Sequence, residues 1–193
     1  MIIRKLFRFE NAHIVRGCTT QKCSQNIHGH SYEVEILLES NYLDNGQMVY
    51  DFGLIKHTMH AIIDAFDHAI TLWSEDDIGY RNDIKKHSAR WIELPVSPSA
   101  EQFSRIFYLI FEKILASTQM TNGEKEVKVY SVIVHETKTG YAQSFYKDAH
   151  SELMGSISLE KIIFSSTIKD EWVDKLLWDK ILSQQLTPNP SKI

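Results

Sequence analysis

Three histidines stand where they could share a metal ion. His28-Gly29-His30 opens a stretch, residues 30–39, in which apolar and polar residues alternate. In a strand, residues i and i+2 point the same way, so both imidazoles can face one ion. They fall on the face of Tyr32, Val34, Ile36 and Leu38, while Ser31, Glu33, Glu35 and Glu39 point away. His13 ends an earlier stretch, residues 2–13, whose odd positions Ile3, Phe7, Phe9 and His13 share one side. If the two strands pair, His13 supplies a third nitrogen. Three neutral imidazoles leave the fourth position of a tetrahedral zinc open, as in catalytic rather than structural sites. Zn2+ suits an all-nitrogen, redox-inert site. Cys18, Cys23, His28 and His30 offer a rival, a closed Cys2His2 site, but its C-x4-C spacing is wide and it leaves His13 without a role.

Other groups could act beside such an ion. Cys23 lies in the loop just before the paired histidines, and a thiol near a divalent cation is acidic enough to serve as a base. Cys18 competes for that role, and loop position alone does not separate the two. Asp67-His68 follows a helical stretch, and a carboxylate beside an imidazole sets its tautomer and supports its charged form. The same pair also suits a plain helix end, where the dipole favours a histidine. Glu136 ends the apolar face of a strand that also carries Val132 and Val134, so it needs a partner. That partner is either a nearby cation or a ligand edge with two parallel N–H donors, as an amino-pyrimidinone presents. His57, His60, His87 and His135 receive no role.

The elements that must position these groups are legible in the hydrophobic pattern. Residues 14–27 read as a loop. Residues 53–66 place Ile55, Met59, Ile62, Ile63 and Phe66 on one helical stripe. Residues 74–98 are polar and read as an insertion or long connection. Ser99 and Gln102 fit a capping box, followed by the stripe Phe103, Ile106, Phe107, Ile110, Phe111, Ile114 and Leu115. Residues 126–136 and 141–147 form a hairpin around Gly140. The order is strand, strand, helix, helix, strand, strand, which argues for an α+β domain over residues 1–150, an antiparallel sheet with two helices on one face. Residues 151–193 form a C-terminal extension, helical over 159–185, with a frayed tail after Thr187.

The 193 residues are 43% hydrophobic and 24% charged, with a net charge of −4. That balance gives no pull toward nucleic acid or an acidic membrane. No apolar run approaches the roughly 18 residues of a membrane span. The N-terminal stretch lacks the apolar core of a signal peptide, so a cytoplasmic protein with free thiols is expected.

Taken in order, Phe9-Glu10-Asn11-Ala12-His13, Cys23 before His28-Gly29-His30, Met48-Val49-Tyr50-Asp51-Phe52, Phe66-Asp67-His68, Pro98-Ser99-Ala100-Glu101 and His135-Glu136-Thr137 resemble the 6-pyruvoyltetrahydropterin synthase family and its 6-carboxy-5,6,7,8-tetrahydropterin synthase branch of queuosine biosynthesis. The resemblance covers residues 1–147. It implies a tunnelling fold (T-fold) of ββααββ order. It also implies homo-oligomers, trimers paired into hexamers with active sites between subunits. It places zinc on His13, His28 and His30, makes Cys23 the base, gives Asp67 and His68 to proton transfer, makes Glu136 the pterin anchor, and puts Ser99 and Glu101 near the pterin pocket. The implied reaction takes 7,8-dihydroneopterin triphosphate to the 6-carboxy product. An enzyme that stops at the 6-pyruvoyl product and a non-enzymatic, zinc-stabilised binding module are the alternatives.

Overall fold

The computed structural model describes residues 1–190. In chain order its elements are β1 (Ile2–His13), α1 (Gln21–Ser24), β2 (His28–Glu39), α2 (Phe52–Ile55), α3 (Thr58–Phe66), β3 (Ala69–Trp73), α4 (Ile78–His87), β4 (Trp91–Leu94), α5 (Ala100–Ala116), β5 (Thr118–Gln119), β6 (Lys128–Thr137), β7 (Gly140–Ser144), α6 (Tyr146–Ala149), a 3₁₀ turn (Leu159–Lys161), β8 (Ile163–Phe164), α7 (Ser166–Glu171), α8 (Leu177–Leu182) and β9 (Thr187–Pro188).

The four strands expected from alternation lie side by side and antiparallel, in the order β7-β6-β2-β1. Their inner face carries Phe7, Phe9, Tyr32, Val34, Ile36, Leu38, Val132 and Val134, all buried. The apolar stripes of α3 and α5 cover that face, and Phe66, Phe103 and Phe107 pack around Phe9. The outer face is polar, with Arg4 paired to Glu35 and Arg8 to Glu33 across β1 and β2. This is the α+β ββααββ arrangement.

Three features go beyond the pattern. The sheet continues past β1 through β3, β4 and β8, and the β1–β3 and β3–β4 pairings are parallel. The full sheet is therefore mixed rather than purely antiparallel. Residues 74–98 are not a bare connection, since they hold α4 and β4. Strands of five and four residues are too short to display a period of two, and β3 is apolar on both faces. The 53–66 stripe also breaks into α2 and α3. The N–H groups of Lys56 and His57 bond back three residues, to Gly53 and Leu54, a tight turn that interrupts the α ladder.

The C-terminal extension is not one helix. It folds as a 3₁₀ turn, the short strand β8, and α7 and α8 separated at Trp172, and its Phe164, Trp172 and Trp178 join the main core. Of the tail expected to fray, β9 pairs in parallel with β5, and the Tyr50 hydroxyl donates to Asn189 Oδ1 at 3.1 Å; residues 191–193 lie outside the described residues. No helix among the described residues is long and apolar enough to cross a membrane.

A buried arginine secures the start of this extension. Arg105, on α5, donates from Nε to the Asp148 carbonyl at 2.8 Å, from Nη1 to Met154 at 2.7 Å, and from Nη2 to Ser151 and Gly155 at 2.9 and 2.8 Å. Gln102 Oε1 accepts a further bond from Nη1, and the Gln102 side-chain amide donates to Met154 O. Gln102 therefore does not complete the expected capping box, and only the Ser99 half is present, with Ser99 Oγ accepting from Gln102 N. Arg105→Leu should leave several carbonyls without donors and lower stability by about 3 kcal/mol in urea unfolding. Arg105→Lys, with three donors in place of five, should recover only part of that. A leucine variant within about 0.5 kcal/mol of the parent would refute the clamp, since changes of that size are ordinary for surface positions.

Candidate active site

β1 and β2 pair without interruption from Ile2↔Glu39 to His13↔His28, which sets His13 directly opposite His28 and Asn11 opposite His30. Ligand nitrogens of His13, His28 and His30 lie within 4.8 Å of one another. Gly29 allows the pairing to stay close here: a Cβ at that position would sit 3.0 Å from the Asn11 carbonyl oxygen, a backbone atom of the adjacent strand.

The tautomers follow from the partners. A carbonyl oxygen only accepts, so His13 Nδ1 carries the hydrogen it gives to Pro98 O at 2.5 Å, and His28 Nδ1 carries the one it gives to Asn26 O at 3.0 Å. Both rings are thereby left with Nε2 as the free lone pair, the orientation that metal-bound histidines owe to an outer hydrogen bond. Burial lowers the pKa of His13, with His28 and His30 adding to the effect against the pull of Pro98 and Glu136. Burial likewise lowers that of His30, opposed by Glu136. At neutral pH both are neutral ligands.

Glu136 sits beside this cluster. Its Oε1 is 3.7 Å from His13 Nε2 and 3.8 Å from His30 Nε2, and it accepts from the Tyr32 hydroxyl at 3.3 Å. The β6–β7 register breaks at this residue: His135 pairs with Tyr141 and Thr137 with Gly140, leaving Glu136 unpaired in a bulge. Bulges re-aim side chains in this way. Tyr32 is fully buried, and burial together with Glu136 and Glu101 pushes its hydroxyl strongly toward the protonated form. It is a donor to Glu136, not an acid.

Ser99 and Glu101 open α5 immediately after Pro98, so the turn that orients His13 also carries them. Ser99 caps the helix, and Glu101 is exposed in its first turn. Cys23 lies on the one-turn helix α1 and Cys18 five residues earlier; both are free and half-buried. Loss of solvent, then the neighbouring Cys18, raises the Cys23 thiol. A divalent cation on the imidazoles would act in the opposite direction. Neither cysteine belongs to the cluster of possible ligands, so the closed Cys2His2 site does not form among the described residues.

Asp67 and His68 are brought together but not to the triad. Asp67 Oδ2 accepts from His68 Nδ1 at 2.7 Å, its Oδ1 accepts from Glu10 N at 2.7 Å, and His68 N donates to Glu10 O at 2.7 Å. His68 sits at φ +52°, a conformation rare outside glycine and held here by those bonds. Its ring is 75% exposed and lines a hollow with Glu10 and Asn11 of β1 and Gly29, His30 and Ser31 of β2. The triad is on the inner face, and no hydrogen bond or ion pair among the described residues joins the two groups.

The sequence reading missed Tyr32 and Pro98. Tyr32 was recoverable, because it follows His30 by two positions and so shares its face. The Pro98 carbonyl was not, because a backbone acceptor 85 residues from its donor leaves no mark in a residue pattern.

Comparison with known proteins identifies the family. The family model described as 6-pyruvoyl tetrahydropterin synthase matches residues 2–146. The 6-carboxy-5,6,7,8-tetrahydropterin synthase of Helicobacter pylori (strain ATCC 700392 / 26695) is 41% identical over 186 residues, 96% of this chain and 93% of that protein. A protein of the same name from Aquifex aeolicus (strain VF5) is 32% identical over 164 residues, 76% of this chain and 97% of that one. Among solved structures, the uncharacterized protein WS1659 of Wolinella succinogenes matches with a TM-score of 0.61 at 19% identity, over 76% of this chain and 98% of its own. The 6-pyruvoyl tetrahydropterin synthase of Caenorhabditis elegans matches with a TM-score of 0.52 at 19% identity, over 75% and 94%. These two likenesses concern the fold.

The triad makes a direct prediction. Purified protein should bind about one divalent ion per chain, and His30→Ala should weaken binding at least about a hundredfold in equilibrium dialysis. Because burial holds His13 and His30 below the ordinary imidazole pKa of about 6.5, protons should compete for the site only as the pH falls well under that value. Metal loss already complete at pH 6.5 would contradict the assignment.

Proposed function

The chain belongs to the 6-pyruvoyl tetrahydropterin synthase family, and on that footing we propose that it is a zinc-dependent lyase converting 7,8-dihydroneopterin triphosphate and one water molecule to 6-carboxy-5,6,7,8-tetrahydropterin, with release of triphosphate and acetaldehyde, as a cytoplasmic step of queuosine biosynthesis. The observation that carries this reading is the His13–His28–His30 cluster with the Glu136 carboxylate 3.7 Å from His13 Nε2. The choice of the carboxy over the pyruvoyl product follows the name of the Helicobacter pylori relative, which is 41% identical across 96% of this chain.

The residues present fit the ion. Three imidazoles converge, two of them with Nδ1 occupied by a carbonyl, and no thiolate or carboxylate among the described residues belongs to the set. Zinc bound there would supply Lewis acidity at an open position, stabilising negative charge on a substrate hydroxyl oxygen.

The chain's own groups divide the remaining work. Glu136 is bound through Oε1 to Tyr32 and keeps its other oxygen for a donor edge of the pterin. Tyr32 holds that carboxylate in place and stays protonated. Cys23 removes a proton from the substrate side chain, and Cys18 beside it remains the alternative base. Asp67 fixes the tautomer of His68, so that His68 Nε2 is free to give or take a proton. The two electrons gained by the ring come from the side chain, and no separate redox cofactor is needed.

Because the Asp67–His68 pair stands apart from the triad, it would serve the site of a neighbouring subunit in a trimer-based homo-oligomer. Open strand edges among the described residues support such an assembly: the end strands β7 and β8, and the part of β1 before Asn11, since β3 pairs only with Asn11 and Ala12.

Incubation of the zinc-loaded protein with 7,8-dihydroneopterin triphosphate, followed by mass analysis, should give the 6-carboxy product and acetaldehyde. Accumulation of the 6-pyruvoyl product alone would refute the proposed reaction. Cys23→Ser should lower kcat at least about a hundredfold while Cys18→Ser changes it far less. The reverse ranking would move the base to Cys18. Unchanged turnover in Cys23→Ala and His68→Ala, with unfolding on zinc removal, would favour a zinc-stabilised binding module.

A further inference from the structure

The segment 74–98 and the loop that carries Cys23 are joined by one side chain. Arg16 follows the end of β1 by three residues, at the start of that loop. Its Nε donates to both carboxylate oxygens of Asp76, at 3.0 and 2.8 Å, and its guanidinium lies 4.7 Å from the centroid of the Tyr80 ring. Its Nη1 reaches the carbonyl of Ser24, the residue after Cys23, at 3.4 Å. The neighbouring Val15 N–H donates to the Cys23 carbonyl itself at 3.1 Å.

Asp76 is in turn firmly placed. Its side chain is 9% exposed, and its Oδ1 accepts from Asp77 N at 2.8 Å. Asp77 caps α4 by accepting from Tyr80 N at 2.7 Å. Arg81 donates to Asp76 O at 3.1 Å and to Glu93 Oε1 at 3.0 Å, and Lys85 donates to Glu93 Oε2 at 2.5 Å. Glu93 belongs to β4, inside the sheet. A continuous run of hydrogen bonds thus leads from the sheet, through α4, to the backbone carbonyl of Ser24, next to Cys23.

The loop needs such outside support. α1 is four residues long, buries none of them, and has no side-chain bond at its N-cap Thr20. A single turn of this kind does not hold its own shape in water.

We propose that Arg16 is a positioning residue: clamped by Asp76 and Tyr80 of segment 74–98, it fixes the Cys23 thiol relative to the histidine triad. This rests on the reading of Cys23 as the base. A base must lie within hydrogen-bond reach of its proton, and a displacement of about 1 Å can cost as much as a hundredfold in rate. The planar guanidinium donates from Nε to Asp76 and from Nη1 to Ser24 O while it stacks on Tyr80, which a lysine ammonium cannot reproduce.

The test uses the zinc-loaded full chain carrying Cys18→Ser, so that Cys23 is the single thiol. Arg16→Lys, Asp76→Asn and Tyr80→Leu are introduced separately. Iodoacetamide alkylation of Cys23 is followed across pH 6 to 9, and kcat and KM are measured with 7,8-dihydroneopterin triphosphate. The clamp predicts that Arg16→Lys and Asp76→Asn each change the alkylation rate and lower kcat by about tenfold, with KM and zinc content little altered. Tyr80→Leu, which removes only the stack and spares the buried charge pair, should move both readouts in the same direction by a smaller factor. An alkylation profile equal to the parent's in all three variants overturns the proposal, as does a change in KM or zinc content with no change in alkylation. If alkylation shifts as expected but Cys23→Ser keeps full turnover, the clamp stands and Cys23 loses its role as base.

Discussion

The pairing of β1 with β2 is the constraint on which the site depends. Twelve residues of each strand match in register, and only at the far end of that ladder does His13 come to face His28. A slip of one residue would turn Phe7, Phe9 and His13 to the polar outer face. It would expose the aromatic core and dismantle the metal cluster in the same step. Stability and ligand geometry are therefore enforced by the same register, and the buried aromatic cluster around Phe9 is what makes that register costly to change.

The cluster then solves an electrostatic problem. Imidazoles buried on the inner face would be poor sites for positive charge, and burial does push His13 and His30 toward the neutral form. Glu136 opposes that shift without accepting a short bond from either ring. A carboxylate 3.7 Å from a neutral, buried histidine is an uncompensated charge unless something cationic or donor-rich stands nearby. The bulge in β6 places it there nonetheless. There the Tyr32 hydroxyl donates to it at 3.3 Å and a third of its side chain stays exposed, which leaves carboxylate surface for an ion or a ligand.

How much of this could be read from the residues depends on whether each feature is local in sequence. The alternation of Tyr32, Val34, Ile36 and Leu38 reports a half-buried strand directly, and with it the shared face of His28 and His30. The stripes of α3 and α5 are equally plain. β3 and β4 are not, because short strands buried inside a sheet show no period, and their parallel pairing needs partners distant in the chain. The position of the Asp67–His68 pair was illegible for another reason. Sequence order places it straight after α3, but its face is decided by backbone bonds to Glu10, some 57 residues earlier, and by the left-handed turn at His68. Its geometry as a pair follows from adjacency, whereas its separation from the triad does not.

The polar segment 74–98 shows why composition misleads in such cases. Arg16, Asp76, Arg81, Lys85 and Glu93 look like solvated surface when read along the chain. In the fold they neutralise one another in sequence: Glu93 is largely buried and takes both Arg81 and Lys85, while Asp76 takes Arg16. A buried carboxylate with only one partner removed is strongly destabilising, so each link depends on the next. Such a chain is a poor source of net stability, because desolvation offsets most of the attraction, but it is a stiff connector. Its one free end meets the loop that carries Cys23, which has no core of its own. Rigidity is what that loop lacks, and polar side chains can deliver it where apolar packing would close the site to substrate.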